Sequence, residues 1–409
     1  MDTKKDTENK KTKRKRVLKP RYRFFLSLAN VLTAPYVKFK YHAKIEKFKP
    51  EKNQNYLILC NHQTPFDQFF INRAIKGDLF FVASEDILSN GAISKFLDYA
   101  LGLIPIKKQT TDPRAAINCL RVARAGGSIV VFPEGNRTFS GETCYVKPSV
   151  ASLVKTLKLP VIFFKIEGGY GAQPRWSRNY RKGRVVCRAE SVMRPEEYSG
   201  LTDEELYSII KERLYRNETE TTERYYGKKL AENLESILYV CPECGFTTFT
   251  TEKNKLVCDR CKRSAEYTPD LTFNGDFPFK NVLEWYRYQE SYVAAQPIFV
   301  NAEEKFFSDS AKIMLVKPYE RKKRLIDTAT VSLFNDKITV EGAGEKLVFP
   351  FDETNLVTVL GRNKLNVYHG DKIFQIKGNR SFNALKYVNF FNLYRQIKAG
   401  KTNDFFFGI

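Results

Sequence analysis

Long apolar segments are missing from this sequence. No run of eighteen or more apolar residues occurs, whereas a helix needs about twenty to cross a bilayer. A secretory leader is not evident either, because no apolar core lies between a basic segment and a small-residue cleavage site. We therefore expect a cytoplasmic protein without spanning helices.

A disulfide framework is missing as well. Of the eight cysteines in 409 residues, four form two C-x2-C pairs, and the other four are isolated: Cys60, Cys119, Cys144 and Cys187. This usage is typical of a protein in a reducing compartment.

Acidic residues are outnumbered by basic ones, which gives a formal net charge of +22. Such a charge favours anionic partners, namely nucleic acid, an anionic membrane surface or phosphorylated substrates. Residues 1–23 alone contain eleven Lys and Arg against three Asp and Glu, and we expect them to form a disordered basic tail. The tail either only keeps the chain soluble or contacts nucleic acid. The chain length predicts two or three domains, and an apolar content of 43% is sufficient for their cores.

Residues 24–44 are predicted to form an amphipathic helix. Their apolar residues recur at helical spacing: Phe24, Phe25, Leu28, Val31, Leu32, Tyr36 and Phe39. The segment is too short to span a bilayer, but flanking basic residues are typical of helices that lie on an anionic membrane surface. Packing against the protein's own core explains the pattern equally well, and the two arrangements are compatible. Pro35 should kink or end this helix.

Strands and helices alternate between residues 45 and 216. This alternation predicts an α/β layered domain with a mostly parallel sheet. The strand candidates are 56–60, 79–83, 103–106, 128–132, 160–165 and 184–189. The helix candidates are 112–125, a segment from about 148, and a segment to about 216 that begins with a capping box at Thr202 and Glu205. In such domains, chemistry gathers beyond the carboxyl ends of the strands.

A histidine and an aspartate follow the first of these strands, within Asn61-His62-Gln63-Thr64-Pro65-Phe66-Asp67. An imidazole can remove a proton near neutral pH, and a carboxylate on its other nitrogen fixes the tautomer. His62 and Asp67 can therefore act as a base and its orienting group. Thr64 is expected to cap the next helix, with Pro65 in its first turn. Alternatively, His62 is only a hydrogen-bonded structural residue at the end of a strand.

A second polar motif, Phe132-Pro133-Glu134-Gly135-Asn136-Arg137, follows another apolar strand. A carboxylate beside a guanidinium suits a phosphorylated substrate, because Arg can bind phosphate through two N–H groups. The alternative is a Glu–Arg ion pair that stabilises a loop. The strand at 103–106 brings Lys107 and Lys108 to the same end of the sheet, either as further phosphate ligands or as a solvated face.

Together these residues resemble the glycerolipid acyltransferases, typified by 1-acyl-glycerol-3-phosphate acyltransferase. The resemblance covers roughly residues 45–200 and comprises four blocks in order: N-H-x4-D at 61–67, a glycine, strand and cation at 102–108, F-P-E-G-x-R at 132–137, and a strand after a proline at 159–162. The first and third blocks together are specific to this family.

The resemblance implies that His62 takes the proton from a glycerol hydroxyl as this oxygen attacks an acyl thioester. Asp67 would orient His62, and no covalent acyl-enzyme would form, so Cys60 would only pack in its strand. The donor would be acyl-CoA or acyl carrier protein. No cofactor would take part in catalysis.

The resemblance also implies an acceptor site. Glu134, Gly135 and Arg137 would hold the acceptor, with Arg137 and Lys108 on its phosphate. The sequence departs from the family pattern at three positions: Lys108 replaces an arginine, Asn136 a threonine and Phe163 a second proline. These departures leave the identity of the acceptor open.

Four cysteines further along the chain predict a metal site. Cys241 and Cys244 form one C-x2-C pair, and Cys258 and Cys261 form another, with thirteen residues between the pairs. This spacing indicates a zinc ribbon over 241–268, with a redox iron site as the alternative. Four protein thiolates leave no open coordination position, so we expect one structural zinc ion.

The remaining segments are predicted from apolar spacing. A helical linker is expected over 217–240, where Leu230, Leu234 and Leu238 recur, and a second over 269–310. From 311 to 409, seven short strands followed by a helix over 381–398 resemble a pleckstrin-homology-like or GRAM-like β domain. Such a domain would dock on a membrane or partner, or only shield the catalytic domain.

These patterns favour a peripheral enzyme on the inner face of a membrane, which converts 1-acyl-glycerol-3-phosphate to phosphatidic acid for phospholipid synthesis. The alternatives in the same class use another lysophospholipid or glycerol 3-phosphate as acceptor. A nucleic-acid-binding zinc-ribbon protein would explain the charge but not the two motifs at strand ends, so nucleic acid is not expected as a partner. An inactive scaffold is disfavoured because His62, Asp67, Glu134 and Arg137 are all present.

Overall fold

The computed structural model of the protein describes residues 17–84, 92–106, 113–296, 303–316, 324–342, 344 and 346–400. The chain divides into two compact units. The first contains residues up to 136, 146–169 and 184–216, and the second contains 137–145, 170–183 and the chain from 217 onward. The predicted acyltransferase segment 45–216 therefore contributes two short stretches to the second unit.

A seven-stranded sheet forms the centre of the first unit. Its strands are β1 (Ala43–Ile45), β2 (Leu57–Cys60), β3 (Leu79–Ser84), β4 (Ile104–Ile106), β5 (Ser128–Val131), β6 (Val161–Glu167) and β7 (Val185–Met193). Their order is β1-β7-β6-β2-β5-β3-β4, and all neighbours are parallel except β6 and β7. The six predicted strands and the mostly parallel α/β sheet are confirmed.

Helices connect these strands. They are α1 (Pro20–Phe39), α2 (Asp67–Ala74), α3 (Ala92–Leu101), α4 (Pro113–Ala125), α5 (Ser149–Leu157), α6 (Gly169–Ala172), α7 (Pro195–Tyr198) and α8 (Asp203–Leu214). The predicted capping box of α8 is present, with Thr202 and Glu205 bonding each other's backbone. One face of α8 is fully buried in the same core as the apolar strands, through Leu206, Ile210 and Leu214. These residues are spaced one helical turn apart, which explains why the segment is helical.

The register of the sheet decides where the two polar motifs emerge. Strand β2 lies beside β5 in parallel, with Leu57 next to Ile129 and Leu59 next to Val131. All four residues of β2 are buried, as expected for a central parallel strand covered on both faces. The residues that follow β2 and β5 therefore leave the sheet side by side at its carboxyl edge.

Helix α1 packs on the first unit through polar contacts. The side-chain amide of Asn30 donates to the carbonyl of Asn72, and the amide of Asn72 donates to the carbonyl of Leu26. Arg23 bonds both carboxylate oxygens of Asp78. The helix begins at Pro20, so 20–23 do not belong to a disordered tail, and it continues through Pro35, which therefore does not end it. Residues 1–16 of the predicted tail lie outside the described residues.

The second unit contains two small antiparallel sheets. A hairpin pairs β8 (Val240–Cys241) with β9 (Gly245–Phe246). A four-stranded sheet follows, with β10 (Phe249–Glu252), β11 (Lys255–Cys258), β12 (Ser264–Tyr267) and β13 (Phe273–Gly275) in chain order. Helix α9 (Val282–Ala294) comes next and buries Trp285, whose indole N–H donates to the carbonyl of Val240.

A larger antiparallel sheet completes the second unit. Its strands are β14 (Lys305–Val316), β15 (Arg324–Phe334), β16 (Lys337–Glu341), β17 (Leu347–Pro350), β18 (Thr354–Leu360), β19 (Lys364–His369) and β20 (Lys372–Gly378). Their order is β17-β16-β15-β14-β20-β19-β18, and helix α10 (Leu385–Lys398) follows. The seven strands and the closing helix are confirmed, although the first strand starts at Lys305 rather than after 310. The resemblance to a pleckstrin-homology domain stays a prediction.

The helical linker predicted over 217–240 is wrong. Its helical content is one 3-10 turn at Leu234–Ser236, and Val240 already belongs to β8. Its leucines are buried as predicted, but tertiary contacts fix the backbone instead: the N–H of Leu230 donates to the side chain of Asn254, and Asn233 adopts a φ of +73°. In the second predicted linker, 269–310, the described residues 269–296 and 303–310 are helical only at α9.

Candidate active site

His62 and Asp67 form a hydrogen-bonded pair at the carboxyl end of β2. The Nδ1 atom of His62 lies 2.8 Å from Oδ2 of Asp67. An ionised carboxylate can only accept hydrogen bonds, so Nδ1 carries the proton and Nε2 keeps its lone pair. The side chain of His62 is 22% exposed, whereas that of Asp67 is fully buried. The pair therefore has the geometry of a base that solvent or substrate can reach and a carboxylate that orients it.

The backbone around Asp67 holds its carboxylate in place. The N–H groups of Gln63 and Thr64 donate to it over 2.6–3.0 Å, and the hydroxyl of Thr64 donates over 2.6 Å. These bonds close the loop between β2 and α2, and α2 begins at Asp67 itself. The expectation that Thr64 caps the helix and Pro65 opens it is therefore wrong, because Thr64 bonds the carboxylate that the helix start presents.

Asn61 is a residue of this site to which the sequence analysis gave no role. Its side-chain amide donates to the carbonyl of Ile166 over 2.8 Å, and its Oδ1 accepts the N–H of Ile166 over 2.9 Å. This two-way bond ties the end of β2 to β6 one residue before His62. The sequence signal for this role was the Asn61-His62 dipeptide at the end of an apolar strand. An asparagine buried at such a position needs hydrogen-bond partners for its side-chain amide.

Glu134 connects the second motif to the first. Its Oε1 accepts the backbone N–H of His62 over 2.6 Å, and the residue is only 2% exposed. The ring of Phe132 stacks on the imidazole of His62 with a centroid separation of 4.4 Å. Gly135 has a φ of +67° and closes a turn by donating its N–H to the carbonyl of Phe132. Glu134 thus supports the backbone at His62.

Cys60 lies two residues before His62 but has no properties of a nucleophile. It is fully buried in β2, and its Sγ donates to the carbonyl of Asn61. Burial, with nearby Asp67, raises the pKa of this thiol well above its usual value. The thiolate, which is the reactive form, is therefore suppressed at neutral pH.

The structure places the other predicted acceptor ligands as follows. Arg137 belongs to the second unit, where its carbonyl accepts a hydrogen bond from Arg175. Lys108 lies outside the described residues. The strand before it, β4, ends at Ile106, two strands beyond β5 and at the same carboxyl edge.

The four cysteines of the C-x2-C pairs lie together in the second unit. Their Sγ atoms are all within 4.8 Å of one another, and those of Cys241 and Cys261 are 3.8 Å apart. Four sulfurs at about 2.3 Å from a tetrahedral zinc ion are separated by about 3.8 Å, so the cluster fits this metal. Gly245 and Lys262, which follow the two pairs, both adopt positive φ angles and give the two loops the same bend.

Comparison with known proteins bears on a segment that lies mostly in the first unit. Residues 38–166 match the family described as Acyltransferase. This segment is an acyltransferase domain. The match contains both His62 and Asp67 as well as Glu134, and it confirms the resemblance to the glycerolipid acyltransferases and the prediction of an O-acyltransferase.

One solved structure similar to this chain is the 1-acyl-sn-glycerophosphate (LPA) acyltransferase PlsC from Thermotoga maritima. It is 19% identical in sequence, with a TM-score of 0.39, and the alignment covers 46% of this chain and 76% of that one. None of the curated proteins matches the chain.

Proposed function

We propose that this acyltransferase moves a fatty acyl chain from an acyl thioester to the hydroxyl of a 1-acyl-glycerol-3-phosphate-like acceptor and so produces phosphatidic acid. The observation that carries the proposal is the pair of His62 and Asp67 at the carboxyl edge of the parallel sheet, inside the acyltransferase domain. The donor is acyl-CoA or acyl carrier protein, both of which present the same thioester.

The proposed step needs one base and no other catalytic group. Nε2 of His62 takes the proton of the acceptor hydroxyl while the oxygen attacks the thioester carbonyl. The C–O bond forms, the tetrahedral intermediate expels the thiolate as the C–S bond breaks, and the imidazolium returns the proton to the sulfur. Asp67 stabilises the imidazolium, since its carboxylate is already bonded to Nδ1. The suppressed reactivity of Cys60 supports direct transfer without an acyl-enzyme.

The acceptor's phosphate would be bound by cations that follow the strands. In this proposal Arg137 binds it through its guanidinium, and Lys108 adds a second charge. Gly135 and Glu134 shape the turn from which Arg137 extends along the chain. Glu134 then contributes to acceptor binding through its fixed position next to His62.

An exposed apolar patch supports action at a membrane surface. It consists of Phe24, Leu28, Val31 and Leu32 on α1 together with Phe96 and Tyr99 on α3, all between 39% and 70% exposed. The two helices meet through Phe25, which contacts the rings of Phe24, Phe96 and Tyr99. Monomeric proteins seldom expose contiguous apolar patches without a function.

The basic surface of the chain would add attraction to anionic lipids, so we place the enzyme peripherally on the cytoplasmic face of a membrane. Within the described part of the chain, no helix combines the length and apolar character needed to cross a bilayer. The cysteine cluster would hold a structural zinc ion that stabilises the second unit.

The experiment that tests the proposal uses the purified full chain. It is incubated with acyl-CoA or acyl carrier protein thioesters and with three acceptors: 1-acyl-glycerol-3-phosphate, a zwitterionic lysophospholipid and glycerol 3-phosphate. We expect the highest kcat/KM with 1-acyl-glycerol-3-phosphate and none above background in His62→Ala. A higher kcat/KM with another acceptor would show that the proposed acceptor is wrong. Full turnover in His62→Ala would reject the proposed mechanism.

A further inference from the structure

A buried arginine in the second unit anchors the backbone of Arg137. Arg175 is only 2% exposed. Its Nη1 donates to the carbonyl of Arg137 over 2.9 Å, its Nε to the carbonyl of Gly361 over 3.0 Å and its Nη2 to the carbonyl of Val359 over 2.8 Å. One guanidinium thus connects the backbone of Arg137 with that of Val359 and Gly361, more than 200 positions further along the chain.

The surroundings of Arg175 make this anchor rigid. The guanidinium lies over the ring of Phe139, with its carbon 3.9 Å from the ring centroid, and a planar cation stacks well on an aromatic face. Burial lowers the pKa of Arg175 to about 9, which still leaves the group protonated at neutral pH. A buried cation is tolerated only where its donors are satisfied, so the three carbonyls must stay where the guanidinium can reach them.

The carbonyls of Val359 and Gly361 belong to the end of β18 and the turn before β19. Gly361 adopts a φ of +68°, which keeps the turn tight. The next residue, Arg362, is bonded to the same stretch, since its Nε donates to the carbonyl of Ser177 over 3.0 Å. The turn 360–363 therefore contacts 175–177 through two arginines, one from each side.

We propose that Arg175 is a positioning residue for acceptor binding: through it, the turn 360–363 of the large antiparallel sheet fixes the backbone of Arg137. The inference deepens the proposed function and rests on the phosphate-binding role given there to Arg137. A carbonyl held in place restricts rotation of the backbone at Arg137 and so limits the directions in which its side chain can leave the chain. The turn 360–363 then acts on Arg137 through Arg175 and the backbone.

Arg181 provides a matched control for the loss of a buried arginine in the same unit. It is 1% exposed, donates to the carbonyl of Leu230 over 2.6 Å and lies over the rings of Trp176 and Tyr267. Replacing either arginine by methionine keeps most of the side-chain volume and removes a buried cation. Only Arg175→Met also removes the bond to Arg137.

The first measurement is hydrogen–deuterium exchange of the full chain. We expect faster exchange in the peptide covering 133–141 in Arg175→Met, and a smaller increase in Arg362→Ala, which leaves Arg175 itself intact. Arg181→Met should leave exchange in this peptide unchanged. Unchanged exchange in both Arg175→Met and Arg362→Ala would overturn the proposal, whatever reaction the enzyme catalyses.

The second measurement is acceptor kinetics. A displacement of about 1 Å at a binding group can lower kcat/KM by about 100-fold, and we expect a loss approaching this for 1-acyl-glycerol-3-phosphate in Arg175→Met. The KM for the acyl thioester should stay within about two-fold, and Arg175→Lys should recover part of the loss because a cation that can donate is restored. An equal loss with acceptors that lack a phosphate monoester would overturn the positioning role. If the wild-type enzyme acylated no phosphorylated acceptor, the proposed function would be contradicted. Faster exchange at 133–141 in Arg175→Met would in that case still support the anchoring of the Arg137 backbone.

Discussion

The backbone N–H of His62 donates a 2.6 Å hydrogen bond to Oε1 of Glu134, 72 residues further along the chain. The bond joins the loops that follow two neighbouring parallel strands, β2 and β5. His62 is therefore held at two points: Asp67 bonds Nδ1 of its imidazole, and Glu134 accepts its backbone N–H. The carboxylate of Glu134 has a structural task in addition to any contact with substrate.

The role of Glu134 can be tested by comparing Glu134→Gln with Glu134→Ala. The glutamine keeps a side-chain oxygen that can accept the N–H of His62, whereas alanine leaves this buried donor without that partner, at a cost of about 1–3 kcal/mol. We expect Glu134→Gln to lose only about 10-fold in kcat, and Glu134→Ala to lose considerably more and to unfold at a lower temperature. Equal thermal stability of the two variants would show that the bond contributes little.

Asp67→Asn should inactivate the enzyme while leaving His62 in place. The asparagine amide can donate toward Nδ1, which favours the tautomer with its proton on Nε2 and so removes the base. We expect a loss in kcat of about 100-fold to 10,000-fold, comparable to that of His62→Ala. The readout is single-turnover acyl transfer. If Asp67→Asn retained full activity, orientation by the carboxylate would not matter for the reaction.

The thermal stabilities of Asp67→Asn and His62→Ala should also differ. Asp67 accepts bonds from Gln63, from Thr64 and from His62 in a fully buried site, whereas His62 is partly exposed. Asp67→Asn should therefore lower the melting temperature more than His62→Ala does. A similar decrease in both would indicate that the loop is held mainly by its other contacts.

The pairing of His62 with Asp67 was predictable because it depends on local order in the chain. An apolar strand, a histidine immediately after it and an aspartate at the next helix start are all visible in the sequence, and parallel pairing brings Glu134 to the same edge. The partner of Asn61, Ile166, and the backbone contact of Glu134 were not predictable, because both depend on which strands become neighbours. Arg175 was invisible for the same reason, since its partners lie 38, 184 and 186 residues away.

The incorrect prediction of a helix over 217–240 has a different cause. Leu230, Leu234 and Leu238 do occupy the core, so the apolar period was real. Asn254 and the backbone of Lys253 bind the N–H groups of Leu230 and Ala231, which replaces the bonds that a helix would supply. Spacing alone cannot distinguish these two ways of burying the same residues.

The cysteine cluster should make the second unit dependent on metal. We expect purified protein to contain one equivalent of zinc, and Cys258→Ala to contain less than about half an equivalent. Loss of a structural zinc site removes folding free energy, so chelation should expose 240–296 to proteolysis before the acyltransferase domain. Metal analysis combined with limited proteolysis measures both effects. Finding iron instead of zinc would show that the predicted metal is wrong. Finding no metal in the purified protein would contradict the prediction of a metal site.

A matched control is available for the metal experiment. Cys119 is buried in α4 of the first unit, away from the cluster in sequence. Burial raises the pKa of its thiol to about 11, and it is not one of the four cysteines of the cluster. Cys119→Ala should keep the full metal content, and loss of metal in this variant would mean that the assay reports general unfolding.

The exposed apolar patch on α1 and α3 should govern binding to membranes. Replacing Val31 and Leu32, both 70% exposed, by serine removes apolar surface that would enter the lipid interface, at about 1.5–3 kcal/mol for each fully buried side chain. We expect at least a 10-fold weaker association with vesicles containing anionic lipid, measured by co-sedimentation. Binding should also weaken with salt, because exposed charges contribute through screened attraction.

Exposed apolar residues in the second unit provide the control. Leu325 is 56% exposed and Val348 41% exposed, and neither belongs to the α1–α3 patch. The double variant Leu325→Ser and Val348→Ser should bind vesicles like the wild type. If this variant lost binding while the α1 variant kept it, membrane contact would lie in the C-terminal sheet instead.

A buried carboxyl on α9 should make stability depend on pH. Glu290 is 8% exposed, and burial raises its pKa from 4.5 to about 8, with repulsion from Glu142 adding to the effect and Arg287 opposing it. Between these two pKa values the folded state binds a proton that the unfolded chain has released. Stability therefore falls as pH rises from about 4.5 to about 8, by an amount on the order of a few kcal/mol.

Glu290→Gln isolates this contribution, because the amide is nearly isosteric and stays neutral at every pH. Relative to the wild type, the variant should gain melting temperature at pH 8 and show little difference at pH 5. Glu266→Gln, at an exposed position on β12, should shift the melting temperature by a similar small amount at both values. The measurement is thermal unfolding at pH 5, 6.5 and 8. A Glu290→Gln variant that is less stable than the wild type at pH 8 would mean that Glu290 is ionised and favourably solvated in the folded protein.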